Sequence, residues 1–158
     1  MKTNGGTDMA LARREFVILG GITTAAGLSG CLGPSAANLT VKAAGTPGMN
    51  PGPDGADRPL TLTIVQMTGT GAFDSADYFA LQNPSAALGT DFVRADQIVV
   101  SGATPVTKVI SVQPGVAAIG VVAGFRDPAG KSFRSRVSAP KSSGGMTITV
   151  GSSGISVA

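Results

Sequence analysis

Histidine and tryptophan are absent from this chain, and cysteine and tyrosine occur once each, as Cys31 and Tyr78. Each absence closes a class of function. Without His or a second Cys there is no Cys–His zinc site, no Cys–His nucleophile pair and no internal disulfide. With one Tyr and six Phe in 158 residues, stacking surfaces for sugars or bases are poor. Charge is sparse too. Lys2, Arg13 and Arg14 hold three of the 12 basic residues, and Asp8 and Glu15 two of the nine acidic ones, so the part beyond residue 30 carries nine and seven, a net charge of +2. No basic cluster stands in that part, and nucleic acid is not an expected partner. The apolar run from Phe16 to Leu28 is only 13 residues and holds Gly and Thr. A bilayer-spanning helix needs about 20 apolar residues.

What that run does resemble is the core of an export signal. Basic residues precede it, small residues Ser29 and Gly30 follow it, and Cys31 closes it. Leu28-Ser29-Gly30-Cys31 resembles the lipobox of bacterial lipoprotein precursors, in which the Cys becomes the acylated first residue. Residues 1–30 are therefore expected to be a signal peptide, Cys31 the lipidation site, and 31–38 a tether. Arg13-Arg14 before Glu15-Phe16-Val17-Ile18 also resembles a twin-arginine signal. An ordinary Sec signal has the same tripartite form, and both routes stay open, as do Met1 and Met9 as the start. Leu32 stands where an inner-membrane retention signal would place Asp, which points to the outer membrane. One acyl chain binds a membrane only marginally, at about 0.8 kcal/mol per buried methylene, whereas the several chains of a mature lipoprotein hold it there.

The remaining 128 residues suit one domain on length. Leu39–Ala43 reads as a first strand. The next segment, GTPGMNPGPDGADRP, is punctuated by Pro47, Pro51, Pro53 and Pro59 and by Gly45, Gly48, Gly52 and Gly55, with Thr46 and Ala56 between them. Prolines remove ladder donors, so a long exposed loop is expected, of a length that is usually functional or disordered. Leu60, Leu62 and Ile64 alternate with threonines as a half-buried strand. Phe73–Leu81 reads as a helix capped by Asp74 or Ser75, and Asn83-Pro84 opens a second helix that Gly89 ends. Runs at 97–100, 106–112 and 116–125 follow, the last with Ile119, Val121, Ala123 and Phe125 on one face. Asp127–Gly130 is expected as a hairpin turn. Phe133–Val137 alternates with Arg134 and Arg136 outward, Met146, Ile148 and Val150 alternate with threonines, and 155–157 closes the chain. Seven or eight short strands over residues 39–158, with a helical insert at about 73–89, predict an all-β antiparallel sandwich.

These pieces in this order resemble the type VI secretion outer-membrane lipoprotein family, TssJ (SciN, VasD). Asn50-Pro51 with Arg58-Pro59-Leu60 resembles the family's loop before its second strand. Phe73, Ala76, Asp77, Tyr78, Phe79 and Leu81 resemble its Phe-rich insert, Leu88-Gly89-Thr90-Asp91 its Leu-Gly-x-Asp segment, and Gly120–Asp127 its strand ending in Phe-Arg-Asp. Val65-Gln66-Met67 and Phe133-Arg134 depart from it where the family often has Tyr and Trp-Arg. The resemblance implies a transthyretin-like sandwich, anchored in the outer membrane through acylated Cys31 and facing the periplasm. It implies binding to the periplasmic domain of the inner-membrane protein TssM, and through it TssL, by the loop from Gly45 to Arg58. Within that loop Met49 is the expected apolar anchor, Asn50 a hydrogen-bonding group, and Asp54, Asp57 and Arg58 a polar rim. Phe73, Tyr78, Phe79 and Leu81 are expected to cover the sandwich.

Enzyme motifs are scarce. Ser138-Ala139-Pro140-Lys141 fits the S-x-x-K pattern, but that pattern needs a helix and Pro140 lies inside it. Gly69-Thr70-Gly71 lacks a third glycine. Asp54 and Asp57 around Gly55 fall short of the six or more oxygens calcium takes. No catalytic residue, metal, cofactor or small-molecule substrate is expected. The rival from another class is a generic envelope sandwich lipoprotein that binds a ligand or serves adhesion or assembly.

Overall fold

The computed structural model describes residues 36–158; the expected signal peptide and Cys31 lie outside the described residues. Among the described residues, eight strands form two four-stranded sheets. They are β1 (Asn38–Gly45), β2 (Leu60–Met67), β3 (Phe92–Val100), β4 (Val106–Ser111), β5 (Ala118–Ala123), β6 (Arg134–Ser138), β7 (Gly144–Gly151) and β8 (Gly154–Val157). One sheet has the order β4-β1-β7-β8 and the other β3-β2-β5-β6. The fold is an all-β sandwich, as the alternating strand patterns predict. Among its strand pairs it departs from a purely antiparallel arrangement where β1 pairs parallel with β7, Val41 opposite Met146 and Ala43 opposite Ile148. Residue alternation sets which face a strand buries and carries no sign of its partner's direction.

The core between the sheets takes Leu39, Val41 and Ala43 from β1 and Met146, Ile148 and Val150 from β7 on one side, facing Leu60, Leu62 and Ile64 from β2 and Ile119, Val121 and Ala123 from β5, with Phe125 beyond it. Gln66 continues the inward-facing series of β2 yet is fully buried. Its amide donates to the carbonyl of Ser111 (3.0 Å) and accepts from the backbone N–H of Gln113 (2.8 Å), so the polar group is satisfied.

The other face of β2 and β5 is covered by the insert. Val65, Met67, Ala118 and Val122 form a second cluster with Phe73, Leu81 and Leu88. Three short helices build that lid: α1 (Gly71–Ser75), α2 (Tyr78–Leu81) and α3 (Pro84–Leu88), with a 3₁₀ turn at Gly89–Asp91. The single helix expected over 73–81 is broken at Ala76 and Asp77, both extended. Asp77 rather than Asp74 or Ser75 is the cap, its Oδ1 accepting from the N–H of Ala80 at 2.8 Å. Asp74 is instead paired with Arg136 at 2.8 Å. Pro84 opens α3, and Gly89 ends it with φ of 55°. Gly120 is a close-approach glycine: a Cβ there would meet the Phe73 ring at 2.7 Å. Arg134 points away from the core as expected and lies half-buried against the lid. Its Nη1 donates to the carbonyls of Phe73 (3.1 Å) and Ala76, fastening the lid to β6.

Candidate functional site

The segment between β1 and β2 leaves one end of the sandwich as two ordered turns. Thr46-Pro47-Gly48-Met49 closes through the Met49 N–H to the Thr46 carbonyl (3.1 Å), with Pro47 second and Gly48 third at φ of 82°, the composition of a type II turn. Gly52-Pro53-Asp54-Gly55 closes in the same way at 3.0 Å, with Gly55 at φ of 78°. The amide of Gly52 then donates to Ala56 (2.8 Å) and that of Arg58 to Asn50 (2.8 Å). These two bonds frame an antiparallel bridge between Pro51 and Asp57. The expectation that prolines forbid pairing here is overturned. Pro51 sits at a non-hydrogen-bonded place of this small ladder, where no N–H is required of it.

Two expected contact residues point inward. Met49 is 1% exposed and packs into the main core. It therefore cannot serve as a surface anchor, and the apolar side chain that seemed stranded in a polar loop is a plug for the sandwich end. Asn50 is 4% exposed. Its Oδ1 accepts from the Arg126 N–H (2.9 Å), and its Nδ2 donates to the carbonyls of Arg58 (3.4 Å) and Pro59 (3.3 Å). Lys131 covers Met49 from outside, donating to the carbonyls of Met49 (3.3 Å) and Ser152 (3.1 Å).

Asp57 binds the loop to itself. Its Oδ2 accepts from the Gly48 N–H (2.7 Å) and its Oδ1 from the Asn50 N–H (3.0 Å). Those bonds, with Lys131 nearby, hold the carboxyl below its usual pKa. At the tip, Arg58 reaches Asp54 at 2.7 Å with both side chains about half exposed. The outward surface is thus Thr46 and Pro47 at the base and Pro51–Arg58 at the tip, held by its own turns and by Met49 and Asn50 beneath. The sequence carried the signal for these turns in Thr-Pro-Gly and Pro-Asp-Gly.

Neighbouring elements meet the loop at this end. Tyr78 on α2 donates its hydroxyl to the carbonyl of Phe125, and burial pushes its pKa up, so the donor stays protonated. The turn after Phe125 is one residue later than expected: Lys131 N–H bonds to the Pro128 carbonyl at 3.0 Å, with Gly130 at φ of 69°. Asp127 accepts from Ala129 N–H (3.0 Å), which draws Pro128 into the first place. Phe79 is not part of the lid at all; it is 80% exposed, since one turn of α2 has room to turn only Leu81 inward. A shallow hollow of about 420 Å³ lies between Ala36, the β4–β5 loop and Lys141. Ser138 and Lys141 both line it, but Ser138 ends β6, so the S-x-x-K pattern is not helical.

The sequence profile described as type VI secretion lipoprotein, VasD, EvfM, TssJ, matches residues 37–153. The chain belongs to that family. No curated protein matches the lipoprotein. Among solved structures it is similar to the T6SS lipoprotein TssJ1 from Pseudomonas aeruginosa, at 26% identity and TM-score 0.71, over 78% of this chain and 95% of that one. It is similar to Serratia marcescens Lip, described as a membrane-bound component of the type VI secretion system, at 20% identity and TM-score 0.70, over 79% and 98%. A chain in a structure described as the T6SS protein TssM C-terminal domain (869-1107) from EAEC matches at 18% identity and TM-score 0.62, over 77% and 97%. The last two likenesses carry the fold alone.

Proposed function

We propose that this lipoprotein ties the type VI membrane complex to the outer membrane. Cys31 carries the acyl chains, the sandwich faces the periplasm, and the loop from Gly45 to Arg58 docks on the periplasmic domain of TssM, which connects it to TssL. The observation that carries this is the loop's construction. The stretch from Gly45 to Arg58 is pinned to the core by Met49 and Asn50 and braced within itself by Asp57, so its tip is shaped before any partner arrives. Preorganisation lowers the entropy cost of docking. The loop also leaves the end of β1 opposite to the one that follows Ala36, on the tether side.

The test keeps the buried half of the loop. Pro53–Gly55 is replaced by Asn-Gly, the two-residue hairpin turn that suits the hydrogen-bonded Gly52 and Ala56 as flanks and that removes the proline and the acidic side chain of the tip. The full-length lipoprotein in nanodiscs is then titrated with the periplasmic region of TssM. The variant is expected to keep its melting curve and lose binding at least tenfold; unchanged affinity in the folded variant sinks the loop as the docking site.

A further inference from the structure

With Met49 buried, the exposed tip offers only Pro51, Pro53 and Ala56 as apolar groups. Protein interfaces draw most of their binding energy from a few large side chains, aromatic ones above all, and a tip of small and charged residues lacks one. Among the described residues, the large apolar side chain left most open to solvent is Phe79.

Phe79 is also held still. Its helix is a single turn fixed by Asp77 at its start. The ring stands edge-on to Tyr78, with centroids 5.4 Å apart, and Tyr78 stands edge-on to Phe133 at 5.3 Å. Gln82 donates back to the Tyr78 carbonyl at 3.3 Å. The turn that carries the ring is thus fixed, which lowers the ordering cost of binding. It is joined to the loop through one peptide unit. Tyr78 holds the carbonyl of the Phe125–Arg126 peptide, and Asn50 holds its N–H.

We propose that Phe79 is the apolar anchor of the docking surface whose polar part is the loop tip. This rests on the loop being the TssM-binding element. The partner is then a folded periplasmic domain of TssM with two adjoining features: an apolar pocket that takes the ring, and a polar groove for Pro51–Arg58. The exposed Arg126, next to the shared peptide, lies between the two and is matched by an acidic or carbonyl-lined strip.

The experiment uses the full-length lipoprotein in cells and in nanodiscs. The photo-cross-linking analogue p-benzoylphenylalanine replaces Phe79 or, as a control, Val109, which is exposed on the other sheet. Cross-links to TssM are expected from position 79 and not from 109. In titrations, Phe79→Ala is expected to weaken TssM binding at least tenfold with an unchanged melting curve, and Val109→Ala to leave it unchanged. Tenfold or greater loss from the shortened loop but none from Phe79→Ala, with no cross-link at 79, overturns this proposal and leaves the loop reading standing. Loss from Phe79→Ala with none from the shortened loop overturns the loop reading instead. Cross-links from 79 only to a second copy of this chain mark a self-association surface and also overturn the proposal.

Discussion

Asn50 and Tyr78 hold the same peptide bond from opposite sides. Asn50 accepts from the N–H of Arg126, and Tyr78 donates to the carbonyl of Phe125. The two residues come from separate insertions, the β1–β2 loop and the helical lid, and meet over the β5–β6 connection. A peptide plane gripped at both polar groups fixes the position of the exposed Arg126 side chain and couples the two surfaces on either side of it.

Removing the Asn50 side chain leaves one backbone N–H and two carbonyls without their partner. An unsatisfied buried group costs about 1–3 kcal/mol. Asn50→Ala is therefore expected to destabilise the chain by about 2–4 kcal/mol, read as a lower urea midpoint. A midpoint equal to the parent's would mean that the pocket refills with water.

Met49 and Phe79 are expected to exchange the roles that composition suggests. Met49→Ala opens a core cavity and is expected to cost about 2–5 kcal/mol. Phe79→Ala, on the surface, is expected to stay within about 0.5 kcal/mol. Thermal melts of the two variants side by side check the pair, and the reverse order would contradict the burial of Met49.

Two glycines are expected to resist the smallest enlargement. At Gly120 a methyl meets the Phe73 ring at 2.7 Å. At Gly154, with φ of 119°, it meets the backbone of Ser132, where the segment before β6 is bridged to the start of β8. Gly154→Ala has to move backbone and is expected to lower the melting temperature more than Gly120→Ala, which moves only ring and thioether atoms. Differential scanning calorimetry of the two variants ranks them.

Acid is expected to loosen the loop before the sandwich. The Asp57 pKa is lowered by bonds that exist only in the folded loop. Their contribution is complete above the ordinary carboxylate value of 3.8 and is lost as pH falls through the depressed folded value. The protection of the Gly48 and Asn50 amides, measured against the intrinsic exchange rate at each pH, should fall below about pH 4 while the β1 amides stay protected, and Asp57→Asn should remove that pH dependence.

Strand positions were legible because one-sided burial writes itself as alternation, as in Leu60-Thr61-Leu62-Thr63-Ile64 and Met146-Thr147-Ile148-Thr149-Val150. The parallel β1–β7 pair was not, because alternation is blind to direction. The lid escaped in detail for a different reason. Ala76 and Asp77 are compatible with a helix locally, and the break between α1 and α2 follows from where Arg134 fastens the Phe73 and Ala76 carbonyls. Met49 was misjudged because burial was inferred from polar neighbours in sequence, whereas a type II turn folds it back between the sheets. The loop's position was plain from its prolines; its shape lay in the order of Pro, Asp and Gly within it.

β1 is paired along nearly its whole length, with β4 on one side and β7 on the other. Its first residue follows the tether side and its last opens the proposed docking loop. On that proposal, tension between membrane and partner would enter this strand at one end and leave it at the other, carried by its covalent backbone. A strand already extended at about 3.3 Å per residue has little slack to give. The two ladders would then hold the strand in register instead of bearing the pull, and the sandwich could stay folded while its first strand is under tension.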